Sequence, residues 1–268
     1  MTNVCFAGVT GWTAPPILAA IQAADDLHLV AGVARSAAGR SVADATGLDV
    51  GGQVHATVPE AVQAHDVDVL VDYTSATAVL ANVEAAVDAG VHVVVGSSGL
   101  TAEEYAELDG RARERGVGVF AAGNFSVMAA ILNRAAAMAA EHLDHWEILD
   151  YAGATKPDVP SGTARELAEE LGRVRRPEPA VPLADLHGPV EARGADVAGS
   201  RVHSLRLPGF VVATDIVFGG AGERLVMRHD PGLGPEPYVD GTLLAVRRVG
   251  DVPGVRRGLG TLLFSGPA

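Results

Sequence analysis

The residues best equipped for chemistry stand together in one stretch, Lys156-Pro157-Asp158-Val159-Pro160-Ser161-Gly162-Thr163-Ala164. Pro160 and Gly162 shape a turn, and a helix over 165–171 is expected to follow. The hydroxyls of Ser161 and Thr163, with the first amides of that helix, make an anion site beside an ammonium. This is chemistry suited to gripping a carboxylate. The same hydroxyls would serve an ordinary helix N-cap, but a cap leaves the lysine unexplained. Of the 20 Lys and Arg residues, nineteen are arginines and the remaining one is Lys156. An ammonium is compact and gives up a proton when its pKa is lowered, which a guanidinium does not do.

A second set lies at the other end of the chain. Gly8-Val9-Thr10-Gly11-Trp12-Thr13-Ala14 follows an apolar run and precedes a helix starting near Pro15. A glycine turn between strand and helix points backbone amides and a helix N-terminus at a pyrophosphate, although glycines there also serve plain packing. Trp12 would stack on an adenosine or narrow the groove. After the next strand, an NAD-binding domain usually offers an acid to the ribose. Here the chain reads Gly32-Val33-Ala34-Arg35-Ser36, with Arg40 nearby. Without the acid a 2′-phosphate is not repelled, and Arg35 attracts it, so NADPH is expected, with NADH as the alternative. Two further strand ends, Asp72-Tyr73-Thr74 and Gly96-Ser97-Ser98-Gly99, would line the same crevice.

The elements that must position these residues fall into two patterns. Short Val-rich runs at Val4–Ala7, Leu29–Val33, Val67–Asp72, Val91–Val95 and Gly118–Ala122 alternate with Ala-rich helices, the signature of a doubly wound parallel sheet of the Rossmann type. Beyond Phe125 a helix over 126–140 gives way to strands at Trp146–Tyr151, Val202–Leu207, Thr214–Phe218 and Arg224–Arg228, a second, α+β domain. The stretch Arg176–Pro182 reads as a surface loop.

Composition excludes several roles. A formal net charge of −13 opposes nucleic-acid binding. No apolar run approaches the roughly 20 residues of a membrane span, and the N-terminus lacks an export signal, so a cytoplasmic protein is expected. Cys5, in the first strand, is expected to be a buried, inert thiol. His142 and His145 lack further ligands at a useful spacing, so no metal site is expected; His203 is read as a hydrogen-bonded structural histidine.

In these residues the chain resembles the dihydrodipicolinate reductase (4-hydroxy-tetrahydrodipicolinate reductase) family, whose hallmark includes K-x-D-x-P-S-G-T-A. Lys156, Asp158, Pro160, Ser161, Gly162, Thr163 and Ala164 match it in register. Further matches are the opening glycine turn, Gly96–Gly99, Asn124-Phe125-Ser126, His203–Gly209, Phe218-Gly219-Gly220, Arg228-His229-Asp230 and Leu243-Leu244-Ala245. The resemblance implies a dinucleotide-binding domain over 1–125 completed by 241–268, and a substrate domain with a mixed sheet over 126–240. It implies a homotetramer formed through those sheets, a dimer being the lesser assembly. It also implies cofactor contacts at Gly8 to Thr13, Arg35, Gly96 to Ser98 and Ala122 to Phe125, and substrate contacts at Lys156, Gly162 and Thr163.

One departure stands out. The family carries a histidine pair upstream of the lysine, the first acting as proton donor, where this chain reads Asp150-Tyr151-Ala152-Gly153. A general acid contributes roughly 10²- to 10⁴-fold in rate. Hydride addition to an activated C=C leaves a carbanion-like carbon that needs a placed acid, whereas a protonated imine already carries its proton. The sequence therefore points to a paralogue reducing a small carboxylate-bearing imine or enamine. One alternative is the lysine-pathway reductase itself, with Tyr151, Lys156 or a water as substitute acid. The other is an inactive nucleotide-binding scaffold.

Overall fold

The computed structural model describes residues 1–177 and 179–264. The chain divides into two compact units, one comprising Met1–Ser126 with the segment from Pro235 onward, the other Val127–Gly234.

The first unit begins with β1 (Thr2–Ala7), α1 (Ala14–Ala23), β2 (Leu27–Val33), α2 (Val42–Thr46), β3 (Gln53–His55) and α3 (Val58–Ala64). It continues with β4 (Val69–Asp72), α4 (Val79–Asp88), β5 (His92–Val95), α5 (Ala102–Arg115) and β6 (Gly118–Ala121). All its strands pair in parallel, in the order β3-β2-β1-β4-β5-β6, and a later strand extends the β6 edge. Parallel sheets are covered on both faces, which explains why β1, β4 and β5 are nearly unbroken apolar runs. Cys5 lies in that core, its thiol pushed up to about 12 by burial and by Asp72. In this strand order the direction of winding reverses between β1 and β4, and ligands of such sheets bind at that crevice, outside the strands' carboxyl ends.

The second unit comprises α6 (Val127–Ala140), β7 (His145–Ala152), α7 (Gly162–Val174), β8 (Ala195–Val197), β9 (Ser200–Arg206), β10 (Val212–Gly219) and β11 (Arg224–His229). Its five strands run β11-β10-β7-β9-β8, antiparallel except for the parallel pair β7–β9. The mixed sheet expected from sequence is therefore present. Along β7 burial alternates: Trp146, Ile148, Asp150 and Ala152 are buried, while Glu147, Leu149 and Tyr151 are partly exposed. Trp146 and Ile148 pack with Leu132 and Ala136 of α6 and Ala164, Leu167 and Leu171 of α7. Helices thus cover one face of this sheet. Arg176, Pro177 and Pro179 have no regular structure, as the loop reading expected; Glu178 lies outside the described residues.

The chain returns to the first unit at Pro235 rather than at Gly241. Tyr238 packs edge-on to Trp12 and its carbonyl accepts from Thr242 Oγ1 (2.7 Å), so the turn before α8 (Val239–Arg248) already belongs there. β12 (Gly254–Arg257) pairs with β6, and α9 (Gly260–Leu263) follows. The short edge strands β3, β8 and β12 escaped the sequence reading because none carries an apolar run.

Candidate active site

The glycine turn sits where β1 meets β4. Gly8 has φ +86°, and a Cβ there would lie 2.3 Å from the carbonyl oxygen of Tyr73, so only glycine fits. Gly11 donates its N–H to Gly8 O (2.8 Å), closing the turn onto α1. Among the described residues, nothing accepts from the amides of Thr10, Trp12 or Thr13. Pro15 and Pro16 fall in the first turn of α1, and no acidic residue stands there. Three unused amides at a helix N-terminus fit the pyrophosphate of a dinucleotide. Trp12 is half exposed at the rim, its ring 6.3 Å from that of Tyr238 at 73°.

Asp72, fully buried, organises the neighbouring strand ends. It accepts from Thr74 N (3.1 Å), Thr74 Oγ1 (2.8 Å), Asn82 Nδ2 (2.8 Å) and Ser97 Oγ (2.6 Å). The hydroxyls of Thr74 and Ser97 are thereby committed to Asp72, and the N–H of Thr74 also donates to Ser97 Oγ (2.7 Å). Tyr73 is likewise committed. Its ring stacks on Phe6 and fills the space beside Gly96, where a Cβ would come within 2.2 Å. Its hydroxyl donates to Thr242 Oγ1 (2.8 Å), whose own proton goes to Tyr238 O, and burial pushes the phenol up. Ser98 is exposed in the next loop, and Ala122 follows β6. Asn124 and Phe125 are buried, Asn124 Oδ1 accepting from Ser126 N (2.8 Å). Phe125's carbonyl abuts Gly241 of α8, where a Cβ would come within 2.0 Å. Arg35 and Ser36 are exposed just past the end of β2.

In the second unit the hallmark turn runs from β7 into α7. Ser161 is the N-cap, its Oγ accepting from Ala164 N (3.3 Å), and Arg165 N donates to Ser161 O (3.0 Å). The amides of Gly162 and Thr163 lie between these bonds, at the positive end of the helix dipole. Lys156 Nζ donates to Asp158 Oδ2 (2.9 Å), and both side chains are 30% exposed, so the ammonium is tethered rather than loose in solvent. Lys156, Ser161, Gly162 and Thr163 are thus brought onto one short segment.

Tyr151 is not brought to that turn. Its place in the alternation of β7 puts it on the face opposite Asp150 and the helices. There its hydroxyl donates to Asp215 Oδ2 (3.1 Å), its ring stacks on Phe210 and the guanidinium of Arg228 lies 5.1 Å from its centroid. Burial and then Asp215 push its phenol up, making it a weaker acid. Ala152, at the first histidine position, is fully buried. His203 bonds Glu147 (2.7 Å) on the open face, as a structural histidine does. Among the described residues no group of three or more metal-binding side chains occurs, and no helix is long and apolar enough to cross a membrane.

Sequence reasoning missed three contributors. Asp150, Ser204 and Arg206 form a polar knot beneath the turn, and only the place of Ser204 and Arg206 in the His203–Gly209 motif hinted at it.

A parallel sheet with a glycine turn at its reversal point, joined in one chain to a unit whose mixed sheet leads into a serine-capped helix beside a tethered ammonium, defines a two-unit α/β protein of the Rossmann class. Models of the dihydrodipicolinate reductase N-terminus and C-terminus match residues 2–125 and 125–262. The 4-hydroxy-tetrahydrodipicolinate reductase of Synechococcus elongatus is 37% identical over 267 residues, covering 96% of each chain. That of Mycolicibacterium vanbaalenii is 34% identical over 257 residues, again 96% of each. Among solved structures, the dipicolinate-bound dihydrodipicolinate reductase from Paenisporosarcina sp. TG-14 superposes with a TM-score of 0.77 at 24% identity, covering 97% of this chain and 99% of that one. The chain belongs to the dihydrodipicolinate reductase family and is an NAD(P)H-dependent reductase.

Proposed function

We propose that this chain reduces a small imine, or its enamine tautomer, that carries a carboxylate, using NADPH. The observation that carries the reading is the pairing of an intact anion turn with the absence of the family's proton donor. Lys156, Ser161, Gly162 and Thr163 keep the side chains and amides a carboxylate needs, while Ala152 and Gly153 offer no acid. NADPH supplies the hydride, and the residues do the rest. Gly8, Thr10, Gly11, Trp12 and Thr13, with the backbones at Tyr73, Thr74, Gly96, Ser97, Ser98 and Ala122 to Phe125, hold and orient the dinucleotide. Arg35 and Ser36 receive the 2′-phosphate. Lys156 and the first amides of α7 take the carboxylate, and a substrate whose nitrogen is already protonated asks for no further acid.

A second reading rests on the 34–37% identity to the cyanobacterial and mycobacterial enzymes: reduction of the lysine precursor itself, with Lys156 or a bound water as acid. Tyr151 is the weaker choice on either reading, because Asp215 and Arg228 engage it. The deciding experiment follows NADPH oxidation with enzymatically generated 4-hydroxy-tetrahydrodipicolinate and with a panel of cyclic and open imino acids. Turnover of imino acids alone supports the first reading; efficient turnover of the lysine precursor overturns it.

We further infer a cytoplasmic homo-oligomer, a tetramer or a dimer, assembling through the helix-free face of the second sheet. Leu149, Val217 and the exposed Val226 supply apolar surface there. Light scattering that gives a monomer mass would overturn it.

A further inference from the structure

Beneath the anion turn lies an ion pair that ligand contact does not require. Asp150 is fully buried and the Arg206 side chain is 14% exposed, with Arg206 Nη2 2.9 Å from Asp150 Oδ2. That same oxygen accepts from Ser204 Oγ (2.9 Å) and from the N–H of Ser161 (2.9 Å), the residue that caps α7. Arg206 Nη2 also donates to the carbonyl of Asp158, and Nη1 to the carbonyls of Asp150 (3.3 Å) and Leu205 (2.9 Å). The pair therefore grips the turn at two places, Asp158 on the way in and Ser161 on the way out. Asp158 in turn tethers Lys156 through its carboxylate.

The geometry is not the one that would best stabilise the pair for its own sake. A guanidinium and a carboxylate close most strongly as a two-pronged fork. Here Arg206 Nε and Asp150 Oδ1 are both buried without a partner, because the guanidinium is turned to reach Asp158. A buried pair is seldom a net gain in stability over apolar packing, and its best-attested use is to impose one arrangement among several. Among the described residues, every side-chain hydrogen bond that Arg206 makes beyond its own strand goes to Asp150 or to the turn.

We propose that Asp150 and Arg206 are positioning residues that set the shape of the 156–163 turn, so that its ammonium and helix amides converge on one anion. The turn's ligand being a carboxylate rests on the functional reading above; the positioning itself does not. In the Asp150→Asn/Arg206→Met double variant no lone charge is left buried, and the amide oxygen introduced at position 150 can still accept from Ser161. Arg206→Lys keeps the charge pair but lacks the second prong to Asp158, and it serves if the double variant does not fold.

Hydrogen–deuterium exchange on the full-length protein reads the turn directly. Amides of 156–164 are expected to exchange at least about tenfold faster in the variants, with β7 and the rest of α7 unchanged. In parallel, dipicolinate affinity of the NADPH-loaded protein is expected to fall roughly tenfold or more while NADPH affinity holds. Unchanged exchange across 156–164, or faster exchange with wild-type dipicolinate affinity, overturns the proposal. If the turn loosens but the wild-type protein ignores dipicolinate, the positioning role stands and the carboxylate reading is what falls.

Discussion

The carbonyl oxygen of Phe210 stands 3.1 Å from the point where a side chain at Gly153 would begin. The loop joining β9 to β10 therefore closes over the second histidine position with backbone. It is anchored there by the Phe210 ring, stacked on Tyr151 with centroids 5.1 Å apart. A side chain at this position would crowd that carbonyl.

Gly153→His should for that reason destabilise the protein by about 1–3 kcal/mol, the usual consequence of overpacking. Urea denaturation measures it, and a variant as stable as wild type would show that the Phe210 loop yields freely. Ala152→His is the informative partner. If the missing acid is what separates this chain from its lysine-pathway relatives, the variant should gain turnover of 4-hydroxy-tetrahydrodipicolinate by about 10²-fold, the low end of general-acid catalysis. No gain in a variant whose circular dichroism and melting temperature match wild type means that something other than the acid sets the substrate.

Lys156→Ala should raise KM for a carboxylate substrate by about 10- to 100-fold, as expected for losing a charge-assisted hydrogen bond worth about 1.5–3 kcal/mol. Lys156→Arg should recover only part, since a planar fork does not reproduce a compact ammonium. Steady-state kinetics at saturating NADPH distinguishes these, and an unchanged KM in Lys156→Ala would remove this residue from the site.

Arg35→Ala should lower NADPH affinity by about tenfold or more while sparing NADH, because only the former has a 2′-phosphate to lose. Fluorescence titration of both cofactors checks the ratio. Equal losses for the two would assign Arg35 to general attraction.

Acid should weaken the fold through histidines that partial or full burial holds neutral. His92 Nδ1 accepts from the N–H of Gly118 (2.9 Å), so the ring must be unprotonated there, and burial holds its pKa below the ordinary histidine value, with Asp68 opposing. His55 and His229 are depressed in the same direction, burial again leading. The unfolded chain takes up these protons near pH ~6.5, before the folded one does. Their contribution is therefore whole above that pH and is lost as pH falls through the depressed folded values. The melting temperature should drop between about pH 7.5 and 5.5, and His92→Asn, which retains an acceptor, should flatten part of that slope.

Much of this was legible from residue order. The Val-rich runs gave β1, β2, β4, β5 and β6, because strands covered on both faces need apolar residues throughout. The glycines at positions 8 and 11 announced a turn that the contact with Tyr73 makes obligatory. The lysine and its hydroxyl turn stood out because their chemistry is local. What escaped was long-range. The hydroxyl of Tyr73 looked free to reach a ligand, but it goes to Thr242, 169 positions away. Asp150 and Arg206 are 56 residues apart and meet only because β7 and β9 run side by side. Tyr151 looked available as an acid because sequence adjacency to Ala152 says nothing of which face of a strand a hydroxyl occupies.

The return of the chain at Pro235 carries a consequence for biosynthesis. β12 closes the β6 edge of the first sheet, and α8 packs on Phe125 and Tyr73. The first unit is thus assembled from two separated stretches of chain, whereas the second is one uninterrupted stretch. During synthesis the second unit can therefore complete its fold before β12 of the first sheet has been made, so removing β12 is expected to harm the unit that was translated first.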